Sequence, residues 1–218
     1  MDGQTLLLAI VFASVGYAFG SVPVGVLVAR ATGGPDPRTI GSGRTGTTNA
    51  LRALGPRGAA VVVVGDLLKG LLPVLLARLV SRGDPLIEVV TATAALIGSC
   101  RSLFLGFGGG RGVVTLAGTM LVILPVTVIV QLTVLAITLA ISRYMSLGSL
   151  LGSASILPAA LVIQAITPGG LPLPVLVYTA LGPAIVWIAH ADNIDRLLHG
   201  TERRFDFALL RGKGASEG

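Results

Sequence analysis

The 218 residues are 53% hydrophobic and only 12% charged, with a mean hydropathy of +0.87, a balance that excludes water as the main solvent of the chain. A net charge of +6 comes with only 5% aromatic residues and no basic stripe laced with rings, which argues against a nucleic-acid partner. Cys100 is the sole cysteine, so neither an internal disulfide nor a CxxC metal site can form, and no metal or cofactor is called for.

Apolar runs predict helices at about 5 to 30, 57 to 80, 86 to 105, 113 to 141, 147 to 166 and 172 to 190. A hydrocarbon core of about 30 Å needs roughly 20 helical residues, which most of these supply. The first run, Thr5 to Ala29, lacks a preceding basic stretch and a well-placed cleavage site, and reads as a membrane helix rather than a secretory signal. The loop behind it carries Arg30, Arg38, Arg44, Arg52 and Arg57 against Asp36 alone, so the positive-inside rule puts it in the cytoplasm and the N-terminus outside. Within it, glycines such as Gly43 let backbone N–H groups face one point, Ser42, Thr48 and Asn49 add donors, and Arg52 offers a bidentate charge. These residues suit a phosphate cradle, and equally a plain turn.

The second helix holds Asp66 and Lys69 three positions apart, either as an ion pair between helices or with one of them facing a polar cavity. After the third helix, Gly109 and Gly110 beside Arg111 open the next run, as a second anion cradle or a re-entrant turn. Arg111 and Arg143 mark both ends of the 113 to 141 run as inside, which demands an even number of crossings. Pro125 predicts two short antiparallel helices joined near Ile123 to Val126; the alternative is one Pro-kinked helix. The total is then seven crossings in a single membrane domain over 1–218, with a cytoplasmic tail over 199–218 that includes Lys213. The remaining polar clusters are Arg143-Tyr-Met-Ser146-Leu-Gly-Ser149 and the stretch from His190 to Glu202. On a continuing helix His190 and Asn193 would project from one side, and such a terminal histidine serves as a cap or as a catalyst.

Taken in order, Gly20-Ser-Val-Pro-Val-Gly25, Gly41-Ser-Gly-Arg-Thr-Gly-Thr-Thr-Asn49, Asp66-Leu-Leu-Lys-Gly70, Phe107-Gly-Gly-Gly-Arg-Gly-Val-Val-Thr115, Arg143-Tyr-Met-Ser-Leu-Gly-Ser149 and His190 to Glu202 resemble the bacterial acyl-phosphate:glycerol-3-phosphate acyltransferases. The resemblance implies an all-α protein of the plasma membrane with seven transmembrane helices, N-terminus out and C-terminus in, surrounded by membrane lipid. It implies transfer of a fatty acyl group from acyl phosphate to glycerol 3-phosphate without a cofactor, with His190 or the substrate's own phosphate taking the proton. It assigns substrate binding to Ser42, Asn49 and Arg52, and matches Ser146, His190 and Asn193 to the family's later polar positions.

The combined candidate site is His190, Asn193, Ser146 and Arg111 for catalysis, with Ser42, Gly43, Thr48, Asn49, Arg52, Lys69, Gly109, Gly110 and Arg143 for substrate and phosphate. The chain departs from the family pattern at Arg111 (usually Lys), Ser99 (His), Arg44 (Asn) and Ala191-Asp192 (Arg-Glu), and Gly108 is expected to make room for Arg111. Two other readings stand beside the enzyme: a paralogue with a changed acceptor or no turnover, and a small anion or phosphate transporter. The transporter would show an inverted repeat, which the sequence does not display.

Overall fold

The structure, a computed structural model, describes residues 2–211; Lys213 and the rest of the expected tail beyond 211 lie outside the described residues. Among the described residues the chain is all-helical. The α-helices are α1 (Gly3–Ser21), α2 (Val24–Thr32), α3 (Thr47–Val80), α4 (Pro85–Cys100), α5 (Val113–Ile123), α6 (Val126–Ser142), α7 (Met145–Ala154), α8 (Ile156–Ile166), α9 (Leu173–Ala189) and α10 (Ala191–Leu198). Four stretches are long and apolar enough to cross a membrane: Gly3–Thr32, Thr47–Val80, Pro85–Leu105 and Met145–Ile166. A fifth arises if α9 and α10, bent by 66° at their junction, are counted as one span. Large apolar side chains such as Leu7, Leu79, Ile129, Ile141, Ile166 and Ile188 face outward along these helices, as lipid contact requires.

Pro125 separates two helices, as expected: α5 ends at Ile123 and α6 begins at Val126. Gln131, in the first half of α6, donates from Nε2 to the Val113 carbonyl at the start of α5 (3.4 Å), and Leu135, a turn further along, lines the same cavity as Val113. The two helices therefore run antiparallel. Their 11 and 17 residues rise roughly 16 and 25 Å at 1.5 Å per residue.

Three expectations are corrected. The first apolar run is two helices, because Pro23 has no amide N–H to donate to the Phe19 carbonyl four residues back and the chain breaks at Val22 and Pro23. The second helix begins at Thr47, ten residues before the expected start, so Asn49 and Arg52 sit on a helix rather than in a loop. Gly55, at φ +70°, marks a kink that only glycine tolerates and divides that early segment from the apolar length of α3. Finally, the helix does not continue from His190 to Asn193 but bends there.

Small residues bring the helices together. Gly16 and Gly20 of α1 lie against the Thr91 and Ala95 carbonyls of α4, and Gly98 of α4 faces the Tyr17 carbonyl of α1. Gly70 of α3 meets the Thr115 carbonyl of α5, and Gly118 of α5 meets the Leu67 carbonyl of α3. In lipid, where no water is expelled by helix contact, such close backbone approach is a main source of association. A Cβ on Gly20 would overlap the Ala95 carbonyl, so Gly20→Val must push α1 off α4. Overpacking of this kind costs about 1–3 kcal/mol, and a lowered thermal-unfolding midpoint of the purified variant in detergent is the expected readout.

The central core is apolar, built on Leu96, Leu116, Met120, Ile156, Tyr178 and Val186. Its buried phenol is satisfied: Tyr178 Oη lies 2.8 Å from Thr119 Oγ1. Within the tail expected over 199–218, residues 201–211 lie against the bundle, where Phe205 packs with Leu51 and Ala59 of α3.

Candidate functional site

One cavity of about 200 Å³ collects the chemistry. The first turns of α3 (Gly46 to Asn49), α5 (Gly112 to Thr115) and α7 (Met145, Ser146) line it, together with His190 and Asn193 at the start of α10. Four helix N-termini therefore point their unbonded amides and positive dipole ends at one space. None of the four is capped by a side chain, whereas α1 and α4 are capped by Asp2 and Asp84. Arg44, Arg52, Arg111, Arg196 and Arg203 add five guanidinium groups against the carboxylates of Asp66 and Glu202. An anion with several oxygens is the ligand such a space suits.

The expected residues divide plainly. Ser42, Thr48, Asn49, Arg52, Gly110, Arg111, Ser146, His190 and Asn193 line the cavity; Gly43, Lys69, Gly109 and Arg143 do not. Lys69 is buried and tied to Asp66 (2.8 Å), and it is Asp66 that reaches the cavity. Arg143 closes α6 at φ +62°, accepts the Phe205 amide on its carbonyl (2.6 Å) and lays its guanidinium over the Phe207 ring (5.8 Å), so it holds the returning tail. Gly110 donates its amide to the Ser99 carbonyl (2.9 Å), and a Cβ on Gly109 would come within 2.6 Å of that same oxygen. These two glycines seat the loop on the end of α4, and the donors that face the cavity belong instead to the first turn of α5. Gly108 has only Leu105 beside it, so it does not make room for Arg111.

Asn49 organises the first loop. Its Nδ2 donates to the Arg44 carbonyl (2.9 Å), Ser42 Oγ (3.1 Å) and the Pro37 carbonyl (3.4 Å), while its Oδ1 accepts from Arg52 Nη1 (3.0 Å). Both ends of the amide are thus occupied, and Asn49 aims Arg52 rather than offering itself to a ligand. Gly41, at φ +60°, leaves the space beneath that pair.

Arg111 joins the two glycine loops and the last helix: Nη1 donates to Ser42 Oγ (3.4 Å) and Nη2 to Asp192 Oδ2 (2.8 Å). Burial draws its pKa below the ordinary arginine value and Asp192 opposes the shift, and the group stays a cation. Asp192 also accepts from Arg196 Nη2 (3.1 Å), Arg196 Nε donates to Glu202 Oε2 (2.8 Å), and Glu202 Oε1 accepts from Asn193 Nδ2 (2.9 Å). This chain of charged groups runs from the loop before α5 to the segment after α10. The sequence reading missed Asp192 and Glu202 as members of the site. The signal available was their place within the polar stretch from His190 to Glu202.

Four side chains on the cavity wall carry buried polar atoms without a partner: Thr47 Oγ1, Arg111 Nε, Ser146 Oγ and Asn193 Oδ1. Unmade hydrogen bonds of this kind cost about 1–3 kcal/mol each in a dry interior, so their gathering at one place marks where a polar ligand belongs. His190, almost fully buried, holds its Nδ1 2.8 Å from the Val186 carbonyl. A carbonyl only accepts, so Nδ1 carries the proton and Nε2 of the neutral ring keeps its lone pair.

The family model for glycerol-3-phosphate acyltransferase matches residues 10–200. A glycerol-3-phosphate acyltransferase of Rubrobacter xylanophilus is 41% identical over 204 residues, covering 91% of this chain and 96% of the relative. That of Geobacter sulfurreducens is 40% identical, covering 92% and 99%. Among solved structures, PlsY, an integral membrane glycerol 3-phosphate acyltransferase in its glycerol 3-phosphate form, superposes with a TM-score of 0.83 at 33% identity, over 92% of this chain and 96% of PlsY. Its lysophosphatidic acid form gives 0.81 at the same 33% identity. With the match running through the glycine loops, the α7 serines and the α10 polar cluster, the chain belongs to the glycerol-3-phosphate acyltransferase family.

Proposed function

We propose that this integral membrane enzyme moves a fatty acyl group from acyl phosphate to the primary hydroxyl of glycerol 3-phosphate, giving lysophosphatidate and inorganic phosphate, the first step of phospholipid synthesis. The observation that carries it is the convergence of four uncapped helix N-termini and five arginines on one cavity, a provision for two phosphates rather than one. Arg52, with Arg203 near it on the wall, holds the acceptor's phosphate; Arg111 and the first turn of α5 hold the phosphate that leaves. Because acyl phosphate is already activated, no covalent enzyme intermediate is needed, and positioning with charge neutralisation supplies the rate. The hydroxyl oxygen bonds to the acyl carbon and the acyl carbon–phosphate oxygen bond breaks. His190 Nε2 takes the hydroxyl proton and passes it to the phosphate, which departs as hydrogen phosphate. Ser146 Oγ donates to a substrate oxygen.

Mixing purified protein with palmitoyl phosphate and glycerol 3-phosphate should yield lysophosphatidate by mass spectrometry; a product-free reaction under conditions where a relative turns over would end this reading. Replacing Arg52 with alanine should raise the KM for glycerol 3-phosphate far more than it lowers kcat, with Arg52→Lys restoring binding only in part, because lysine lacks the planar fork. Unchanged steady-state kinetics in both variants would remove Arg52 from the site.

The same proposal orients the chain. Seven crossings follow if the four long spans, α5, α6 and α9 each cross once. The cavity then opens on the cytoplasmic side of the plasma membrane, with residues 1–218 as one domain and the tail inside. Support comes from helix ends: α4 and α9 finish at the cavity while α3, α5 and α7 begin there, so the arginine-bearing loops share a face. Single cysteines placed near Arg52, Arg111, Arg143 and His190 on a Cys100→Ser background should be labelled from the cytoplasm and shielded from an external reagent. Labelling of the Arg111 loop from outside would defeat the seven-crossing arrangement.

A further inference from the structure

The segment after α10 has an inner and an outer side. On the inner side Glu202, Arg203 and Phe205 complete the wall of the polar cavity. Phe205 and Leu209 seat the segment across α3 and the join of α6 to α7, against Leu51, Ala59, Leu139 and Met145. Little else fastens it: among the described residues, one hydrogen bond ties residues 203–210 to the helical bundle, from the Phe205 amide to the Arg143 carbonyl. On the outer side Arg143 and Arg204 are exposed, their guanidinium groups resting over the Phe207 ring (5.8 Å) and the Tyr144 ring (5.9 Å). Neither has a carboxylate within ion-pair distance among the described residues. Asp206, the sole acid in residues 203–210, is engaged by the Ala208 amide (2.8 Å). Beside the two cations stand Leu210, exposed by 54%, and Ile141, exposed by 81% in the last turn of α6.

An aromatic face fixes a guanidinium in place while leaving its in-plane N–H groups free to meet phosphate oxygens. Exposed apolar side chains beside such cations, at the level where α6 ends, are the arrangement by which a protein surface enters the boundary between headgroups and acyl chains. We propose that the outer side of this segment docks on anionic phospholipids of the surrounding bilayer, with Arg143 and Arg204 on their phosphates and Leu210 and Ile141 against the first carbons of their tails. A soluble anion would leave those two side chains uncovered, and a zwitterionic headgroup carries its own cation to compete for the phosphate. Because the inner side of the same segment supplies Glu202, Arg203 and Phe205 to the cavity, a lipid that holds the outer side holds the wall closed. Membrane charge therefore sets how fully the site is assembled. For its kinetic readout the inference rests on the acyl-transfer reading above.

The test is hydrogen–deuterium exchange of the full-length protein in nanodiscs of phosphatidylcholine alone and of phosphatidylcholine mixed with phosphatidylglycerol. Amides of residues 203–210 should exchange severalfold more slowly in the mixed discs, and high salt should remove the difference. The double variant Arg204→Gln, Leu210→Gln, whose changes touch neither the cavity nor the packing of Phe205, should match the parent in phosphatidylcholine and gain no protection from phosphatidylglycerol. In a kinetic arm the two causes have opposite signs. A negative membrane surface by itself repels glycerol 3-phosphate and raises its KM, whereas a seated segment presents Arg203 and lowers it. The KM should therefore fall severalfold for the parent in the mixed discs and rise for the double variant. Exchange of the parent indifferent to lipid charge, or a double variant that keeps the parent's full response, would overturn the proposal. Lysophosphatidate formed by a parent whose segment ignores lipid charge would sink the docking surface and spare the function; protection by phosphatidylglycerol in a parent that forms no lysophosphatidate would do the reverse.

Discussion

Arg111→Ala is expected to lower kcat by a factor of at least roughly 10²–10³, the loss seen when one preorganised group facing developing charge is removed. The departing phosphate would lose a cation held in place from two sides, by Ser42 Oγ and by Asp192 Oδ2, with Nε still free to donate. Arg111→Lys keeps the charge and gives up the fork, so a single ammonium cannot span both partners. Measurable activity should remain. Lengthening the acid in the same chain, with Asp192→Glu added to Arg111→Lys, carries a carboxylate toward the shorter base and should recover part of the lost rate. Steady-state kinetics at saturating acceptor decide the matter. Alanine turning over acyl phosphate at the parent's rate would reduce the loop to a turn, and a double variant no faster than Arg111→Lys would show that the Asp192 contact is not what positions the cation.

His190→Ala should cost roughly 10²–10⁴ in kcat, the range a positioned general base supplies. His190→Gln should not rescue it, since an amide can hold the hydroxyl but cannot take its proton. The Nδ1 bond to the Val186 carbonyl fixes both the ring and its tautomer, so Val186 needs no side-chain change for the contrast to be read. An undiminished kcat in both variants would assign the proton directly to the substrate's phosphate and leave His190 a structural cap at the bend.

Several elements were legible before the structure because one local cause dictates each. Pro125 in a run too long for one crossing, with arginines at both ends, forces the break between α5 and α6. The polar clusters were visible as clusters, and most of their members meet in one cavity. The start of α3 was hidden: residues 47–54 mix polar and apolar side chains in a stretch too short to read as a span, follow a glycine without a capping side chain, and meet Gly55 and Pro56 before the apolar run opens. That concealed the very helix end that faces the ligand space. The bend at His190 was hidden too, since Ala191-Asp-Asn-Ile continues a helical pattern with no glycine or proline to stop it. Asp192 and Glu202 could not be placed because their partners come from tertiary folding; Arg111 lies 81 positions from Asp192. Lys69 illustrates the opposite error. Spacing on a helix face showed the pair with Asp66 but not which partner would be turned inward.

The return of residues 201–205 to the bundle has a consequence for how the protein is made. Chains emerge from the ribosome N-terminus first, at about 5–20 residues per second, and every membrane helix precedes Glu202. The span-forming part can therefore be inserted while Asn193 and Arg196 still lack the carboxylate that holds them and the wall still lacks Arg203 and Phe205. A nascent chain that stops short of Glu202 carries the glycine loops in the bilayer but no finished pocket, so Glu202, Arg203 and Phe205 act as a completion check on the helices before them.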